Sequence, residues 1–189
     1  MCLIIKLKIN PMKKYFLGLA IATIALASSC STSKSDKEIA SATLTETADN
    51  TKTIGTAKFY QEGDGKIKME LVMDFAARAD SNVAVHFHEH GDCGDMGMNT
   101  HGHWNPTKEN HGKWGSAAYH SGDIGNIQLD SKGHGTVTVT TDRWSIADGD
   151  LKNIIGRGII VHGGTDDYTT QPTGNSGPRV GCGVIEAVK

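Results

Sequence analysis

The chain has 189 residues, 38% of them hydrophobic, and a formal net charge of −2 at pH 7. That length gives one domain a sizeable core and does not fit two comfortably, and the near-neutral charge argues against a nucleic-acid partner or a basic face laid on acidic lipid. Aromatic residues make up only 6% while glycines number 23, which with runs of Thr and Val suits short strands and demanding turns better than helices.

Taken in chain order, Met12-Lys13-Lys14, an uncharged run from Tyr15 to Ala27 and then Ser28-Ser29-Cys30 follow the layout of an export signal. The apolar run is too short to span a bilayer as a mature helix, which needs about 20 residues. The small residues leading into Cys30 resemble the lipobox of bacterial lipoproteins, with Ala27 where Leu is usual. Residues 1–29 are therefore expected to be a lipoprotein signal peptide, and Cys30 the acylated first residue of a chain held in the cell envelope, in the periplasm or at the outer membrane. Ordinary cleavage after Ser29, leaving a soluble protein with a spare thiol, is the alternative. An initiator at Met12 would leave Met1 to Pro11, with Cys2, untranslated. Ser31 to about Thr51 is small, polar and charged without an apolar period, so residues 30–51 are expected to form the anchor and a flexible tether. The domain is then 52–189.

Lys66 to Phe75 alternates, with Ile67, Met69, Leu71, Met73 and Phe75 on one side and mostly charged residues on the other, as a half-buried strand does. Further short runs at Thr53 to Tyr60, Asn82 to Glu89, Thr136 to Thr140, Arg157 to His162 and Gly183 to Val188 are separated by turn clusters such as Glu62-Gly63-Asp64-Gly65. The pattern predicts an all-β sandwich or barrel. Two segments break it: Gly91 to Gly125 and Gly163 to Gly181 are long, polar and rich in glycine, and loops of that length are usually functional or disordered. With Cys2 and Cys30 set aside, Cys93 and Cys182 remain as an even pair in an exported, oxidising compartment, and a disulfide is the natural reading.

His86 and His88 stand at i and i+2 in an expected strand, so both side chains leave the same face and can share one ion. Downstream come His101, His103, His111, His120 and Asp123, and then His162 at the end of another strand. Imidazole suits copper and zinc, and an added carboxylate suits zinc.

The spacing H-x-H, then Gly102-His103-Trp104-Asn105-Pro106, then His111, His120 and Asp123, resembles that of the Cu,Zn superoxide dismutase family. The resemblance runs from about Thr53 to the C-terminus and includes Gly122-Asp123-Ile124-Gly125-Asn126, Val161-His162 and the stretch Gly174 to Gly183. It implies a Greek-key β-sandwich or barrel with two functional loops, and an enzyme that converts superoxide to dioxygen and hydrogen peroxide by alternately reducing and oxidising a bound copper ion. It further implies one copper on His86, His88, His103 and His162, and one zinc on His103, His111, His120 and Asp123. His103 would be the shared bridge, and Asp166 the carboxylate linking a copper-side to a zinc-side histidine. Cys93 and Cys182 match the family's intrasubunit disulfide, and Arg179 the arginine over the copper. His103 and Arg179 are the residues given catalytic roles.

Some features depart from the family pattern. Cys93 follows His88 by five residues and His103 follows Cys93 by ten, a distribution like that of bacterial members. The loop after His162 lacks the lysine-rich stretch with which animal members steer anions. His90 and His101 have no ligand role in the pattern and are read as solvent-facing or hydrogen-bonding residues; His134 is read as a surface residue. A binding protein that stores or delivers copper without turnover would be expected to lack some of these ligands, and a copper-only enzyme to lack His111, His120 and Asp123; all are present. Membrane contact is expected only through the lipid on Cys30, and pairing into a homodimer is left open.

Overall fold

Alternation in strand β3 (Ile67–Asp74) sends Ile67, Met69, Leu71 and Met73 into the interior while Val72 stays 53% exposed, as the period-2 pattern predicts. The computed structural model describes residues 37–189; the signal segment and Cys30 lie outside the described residues. Their remaining strands are β1 (Glu38–Glu46), β2 (Thr53–Gln61), β4 (Asn82–His88), β5 (Asp123–Gln128), β6 (His134–Thr141), β7 (Gly158–His162), β8 (Arg179–Val184) and the short β9 (Glu186–Ala187). All pair antiparallel in the order β5-β4-β7-β8-β1-β2-β3-β6, with β9 on β1. The end strands β5 and β6 approach each other, so the sheet curls into a nearly closed barrel. Pairing of β3 with β6 and of β4 with β7 gives the Greek-key character that the sequence led us to expect. Among the described residues no helix is long and apolar enough to cross a membrane.

Two segments differ from their sequence reading. Residues 38–46, expected within a flexible tether, form β1, which pairs with β2, β8 and β9. Its inward positions are Ala40, Ala42 and Leu44, all buried; two of the three are alanines, too small to stand out as an apolar period against Glu38, Ser41 and Thr43. The loop expected to run to Gly125 ends earlier, because β5 begins at Asp123 and pairs with β4.

The interior is filled from both walls of the barrel. Phe59 on β2, Phe87 on β4 and Trp144 form an aromatic cluster with ring centroids 5.0 to 6.1 Å apart, within the range in which such rings attract beyond simple burial. Leu44, Leu71, Val83, Val85, Ile159 and Val161 complete the core around them. On β4, Val83, Val85 and Phe87 therefore point inward, and the alternating set Ala84, His86 and His88 faces outward. On β7, Ile160 and His162 share that outward face, with His86 paired to Ile160 across the ladder. These outward histidines are buried all the same, His86 fully. Covering them are the two long loops, 89–122 and 163–178.

Candidate metal centre

Three short interactions fold the first loop back over β4. His88 and His103 form an isolated antiparallel bridge, the Trp104 amide donates to the Phe87 carbonyl at 2.8 Å, and Gly122 and Phe87 close the same ladder from the other side. His103 is thereby laid over His86, with ring centroids 3.9 Å apart. Cys93 and Cys182 form a disulfide between this loop and β8, across a sequence separation of 89. In the chain-entropy view a closed loop of that size contributes about 4–5 kcal/mol. The backbone shifts register at Val85/His86 in the β4–β5 ladder and at Val161/His162 in the β7–β8 ladder. Such irregularities re-aim side chains beside functional sites.

Two buried groups of metal-binding side chains result, His86, His88, His103 and His162 in one and His103, His111, His120 and Asp123 in the other, and His103 belongs to both. Six ring nitrogens among them are buried without a well-directed hydrogen bond: His86 Nδ1, His88 Nε2, His103 Nε2 and His162 Nε2, together with His111 Nδ1 and His120 Nδ1, which face Asp123 at 3.0 and 3.2 Å outside hydrogen-bond geometry. Buried polar atoms are almost always satisfied, so six such nitrogens converging on two clusters fit cations that complete them.

The opposite nitrogen of five of these rings is held, and this sets which nitrogen keeps a lone pair. Asp166 lies between the halves, accepting from His86 Nε2 at 2.8 Å on one oxygen and from His111 Nε2 at 2.9 Å on the other. His88 Nδ1 donates to the His101 carbonyl at 2.9 Å, and His162 Nδ1 to the Gly177 carbonyl at 3.2 Å. His103 Nδ1 contacts Asp123 Oδ1 at 3.0 Å, which leaves Nε2 for the other group. Fixing the tautomer and ring plane in this way is what the outer partners of metal-bound histidines do.

Electrostatics keep most of the rings neutral and ready to donate lone pairs. Burial, then the neighbouring His103 and Arg179, push His88 down to about 2. Burial is also the leading cause at His162, lowered to about 3, and at His103, lowered to about 4. His86 is lowered too, by burial. His111 goes the other way: burial opposes its charge, yet Asp123 and Asp166 together outweigh that and raise it to about 9. Asp123 is held below the ordinary carboxylate range against its own burial, because three histidines, His103, His111 and His120, surround it. Asp166 is held low in the same manner, by His111 and His86. A site with two anionic carboxylates and mostly neutral imidazoles is built for cations.

Arg179 stands opposite His162 in the β7–β8 ladder. Its guanidinium donates to the Gly97 carbonyl at 2.6 Å, to Thr100 Oγ1 at 2.9 Å and to the His101 carbonyl at 2.5 Å, which ties it to the loop bearing Cys93. The structure thus brings together the seven residues read as metal ligands with Asp166 and Arg179, and joins Cys93 to Cys182; Cys30 lies outside the described residues. His134, by contrast, lies on the surface beside Asp74.

A supporting shell escaped sequence reasoning. Asn126 on β5 clamps the Asp166 backbone in both directions, donating to its carbonyl at 2.9 Å and accepting from its amide at 2.8 Å. Gln171 does the same for His111, accepting from its amide at 2.8 Å and donating to its carbonyl at 2.9 Å. Buried Thr100 touches both His88 Nδ1 and Arg179. Gly174 has φ +68°, and a Cβ there would overlap Asp166 Oδ1 and come within 2.5 Å of His111 Nε2. Gly174→Ala is therefore expected to displace Asp166 and weaken metal retention roughly 10- to 100-fold, the range for losing a partner of a ligating histidine. Dialysis against graded chelator would measure this, and retention equal to the parent's would contradict it.

A sequence model of copper/zinc superoxide dismutase (SODC) matches residues 53–185. The chain is 35% identical over 137 residues to superoxide dismutase [Cu-Zn] 1 of Aquifex aeolicus, covering 70% of this chain and 80% of that protein. It is 33% identical over 145 residues to the extracellular superoxide dismutase [Cu-Zn] of Caenorhabditis elegans, covering 74% of this chain and 63% of that one. In structure it is similar to a double mutant of a SOD-like protein from Bacillus subtilis, with TM-score 0.69 and 27% identity over 77% of this chain and 96% of that chain. With its barrel, its paired metal-binding clusters and these likenesses together, the chain belongs to the copper/zinc superoxide dismutase family, a copper- and zinc-dependent oxidoreductase acting on superoxide.

Proposed function

We propose that this chain removes superoxide outside the cytoplasm, with copper held by His86, His88, His103 and His162 and zinc by His103, His111, His120 and Asp123. The observation that carries the assignment is the set of six buried ring nitrogens without a well-directed hydrogen bond, divided between two clusters that share one histidine. Two superoxide anions and two protons give one dioxygen and one hydrogen peroxide. Copper, when bound, supplies the one-electron chemistry, and zinc, which has none, supplies charge and shape.

The residues do the rest. Asp166 holds His86 and His111 in fixed tautomers, so both halves keep a common geometry. With both metals bound, His103 would serve the zinc half through Nδ1 and the copper half through Nε2, and Nε2 would be the atom able to hold one of the two protons the product needs, the other coming from solvent. Arg179, permanently charged and held by the Cys93 loop, attracts the anion to the mouth beside His162. Arg179→Ala is expected to lower kcat/KM about tenfold or more and to flatten its ionic-strength dependence with metal content intact. A salt series in which parent and variant behave alike would defeat the assignment.

The location rests on three supports: the signal-like segment ending at Cys30, the disulfide between Cys93 and Cys182, and the extracellular relative. Acylation of Cys30 anchors the chain to the cell envelope in this reading. Cys30→Ser should abolish incorporation of labelled fatty acid and move the protein to the soluble fraction; label retained by the variant would overturn the anchor.

A further inference from the structure

Beyond the buried centre, the geometry points to an open, solvent-facing site for a divalent cation, zinc(II) or copper(II), formed by Glu89, His90 and His101. Their ligand atoms lie within 4.8 Å of one another, the same proximity that defines the two buried clusters, although all three side chains are exposed. Two imidazoles and one carboxylate with open coordination positions suit borderline divalent metals. The rings of His90 and His101 meet edge to face with centroids 4.6 Å apart. A small rotation of exposed side chains brings three donors at this separation onto one ion.

The backbone holds this arrangement independently of any ion. Glu89 donates its amide to the Gly102 carbonyl at 3.0 Å and His90 its amide to the Thr100 carbonyl at 3.2 Å, continuing the bridge between His88 and His103. The Glu89 carbonyl accepts from Arg157 at 2.6 Å. His101 has φ 62° and ψ −136°, a conformation that glycine adopts freely and other residues rarely do. That backbone aims the His101 carbonyl inward at His88 Nδ1 and Arg179 and its ring outward at His90. A glycine would offer the same carbonyl without strain; the histidine adds only the outward imidazole. Strained positions of this kind gather at functional sites. An ion on His101 would also stiffen the segment that supports His88 and Arg179.

The test uses the full chain carrying copper and zinc, with the content of both measured first, titrated with zinc(II) in a calorimeter. One further equivalent per chain is expected. His90→Ala and His101→Asn should each weaken it at least tenfold, the asparagine being chosen because it tolerates positive φ, and the double variant should lose it. His134→Ala should bind as the parent does. On the parent protein, the ring resonances of His90 and His101 should shift together during the titration, a readout that needs no variant. The proposal is overturned if no further equivalent binds, if it survives in the double variant, or if the two rings do not respond.

Discussion

His103→Ala is expected to cut superoxide turnover by at least about 100-fold and to lower the content of both metals, because no other residue belongs to both clusters. Losing an outer partner of a ligand already costs 10- to 100-fold, and here a ligand itself is removed from each half. The side chain lies over His86 at 3.9 Å and against Asp123 at 3.0 Å. Its removal therefore also leaves a void beside the copper cluster and deprives Asp123 of one of its three imidazole neighbours. The proton route through Nε2 disappears with it. Metal analysis and single-turnover kinetics on the same sample separate these effects; a variant with full copper, full zinc and full turnover would show that His103 is not the pivot.

The metal-free protein is expected to lose stability steeply on acidification from pH 6.5 to pH 5. Burial first, and then neighbouring positive groups, hold His88, His162 and His103 at about 2, 3 and 4 when folded, against 6.5 for a solvated imidazole. In that window the unfolded chain binds protons that the folded chain refuses, so stability falls as pH falls. With about 1.4 kcal/mol per pH unit for each group, three groups give a loss of roughly 5 kcal/mol, a large share of a domain's stability. His111 does not offset it: raised to about 9, its stabilising contribution is complete below 6.5 and is lost only as pH rises through 9. Asp123 and Asp166, held low, lose theirs only below the ordinary carboxylate value of 3.8. The melting temperature of chelated protein should thus drop by roughly 10 to 20 °C over this range. A flat or rising melting temperature would contradict the neutral, desolvated state assigned to these rings.

What the sequence disclosed depended on whether the signal was local. The alternation of β3 and the i, i+2 placement of His86 and His88 are periodic facts, and the strands fall where those periods put them. Strand β1 stayed hidden because its inward residues include Ala40 and Ala42, which bury little and resemble a polar tether. Strand β5 was masked by Gly122, Gly125 and Asn126, which read as loop until pairing with β4 shows their place. The supporting shell was less visible still: Asn126 meets Asp166 across 40 residues and Gln171 meets His111 across 60, and no local pattern encodes such distances. The edge-to-face pair of His90 and His101 belongs to the same class, since only the ladder between residues 88–90 and 100–103 brings the two rings together.

The most direct test of the central claim is to measure copper, zinc and superoxide consumption on one purified sample of the full chain. One copper and one zinc per chain in the buried centre, with superoxide consumed catalytically and consumption lost when copper is withdrawn, is the predicted result. Protein that takes up both metals and leaves the rate of superoxide disappearance unchanged would contradict it.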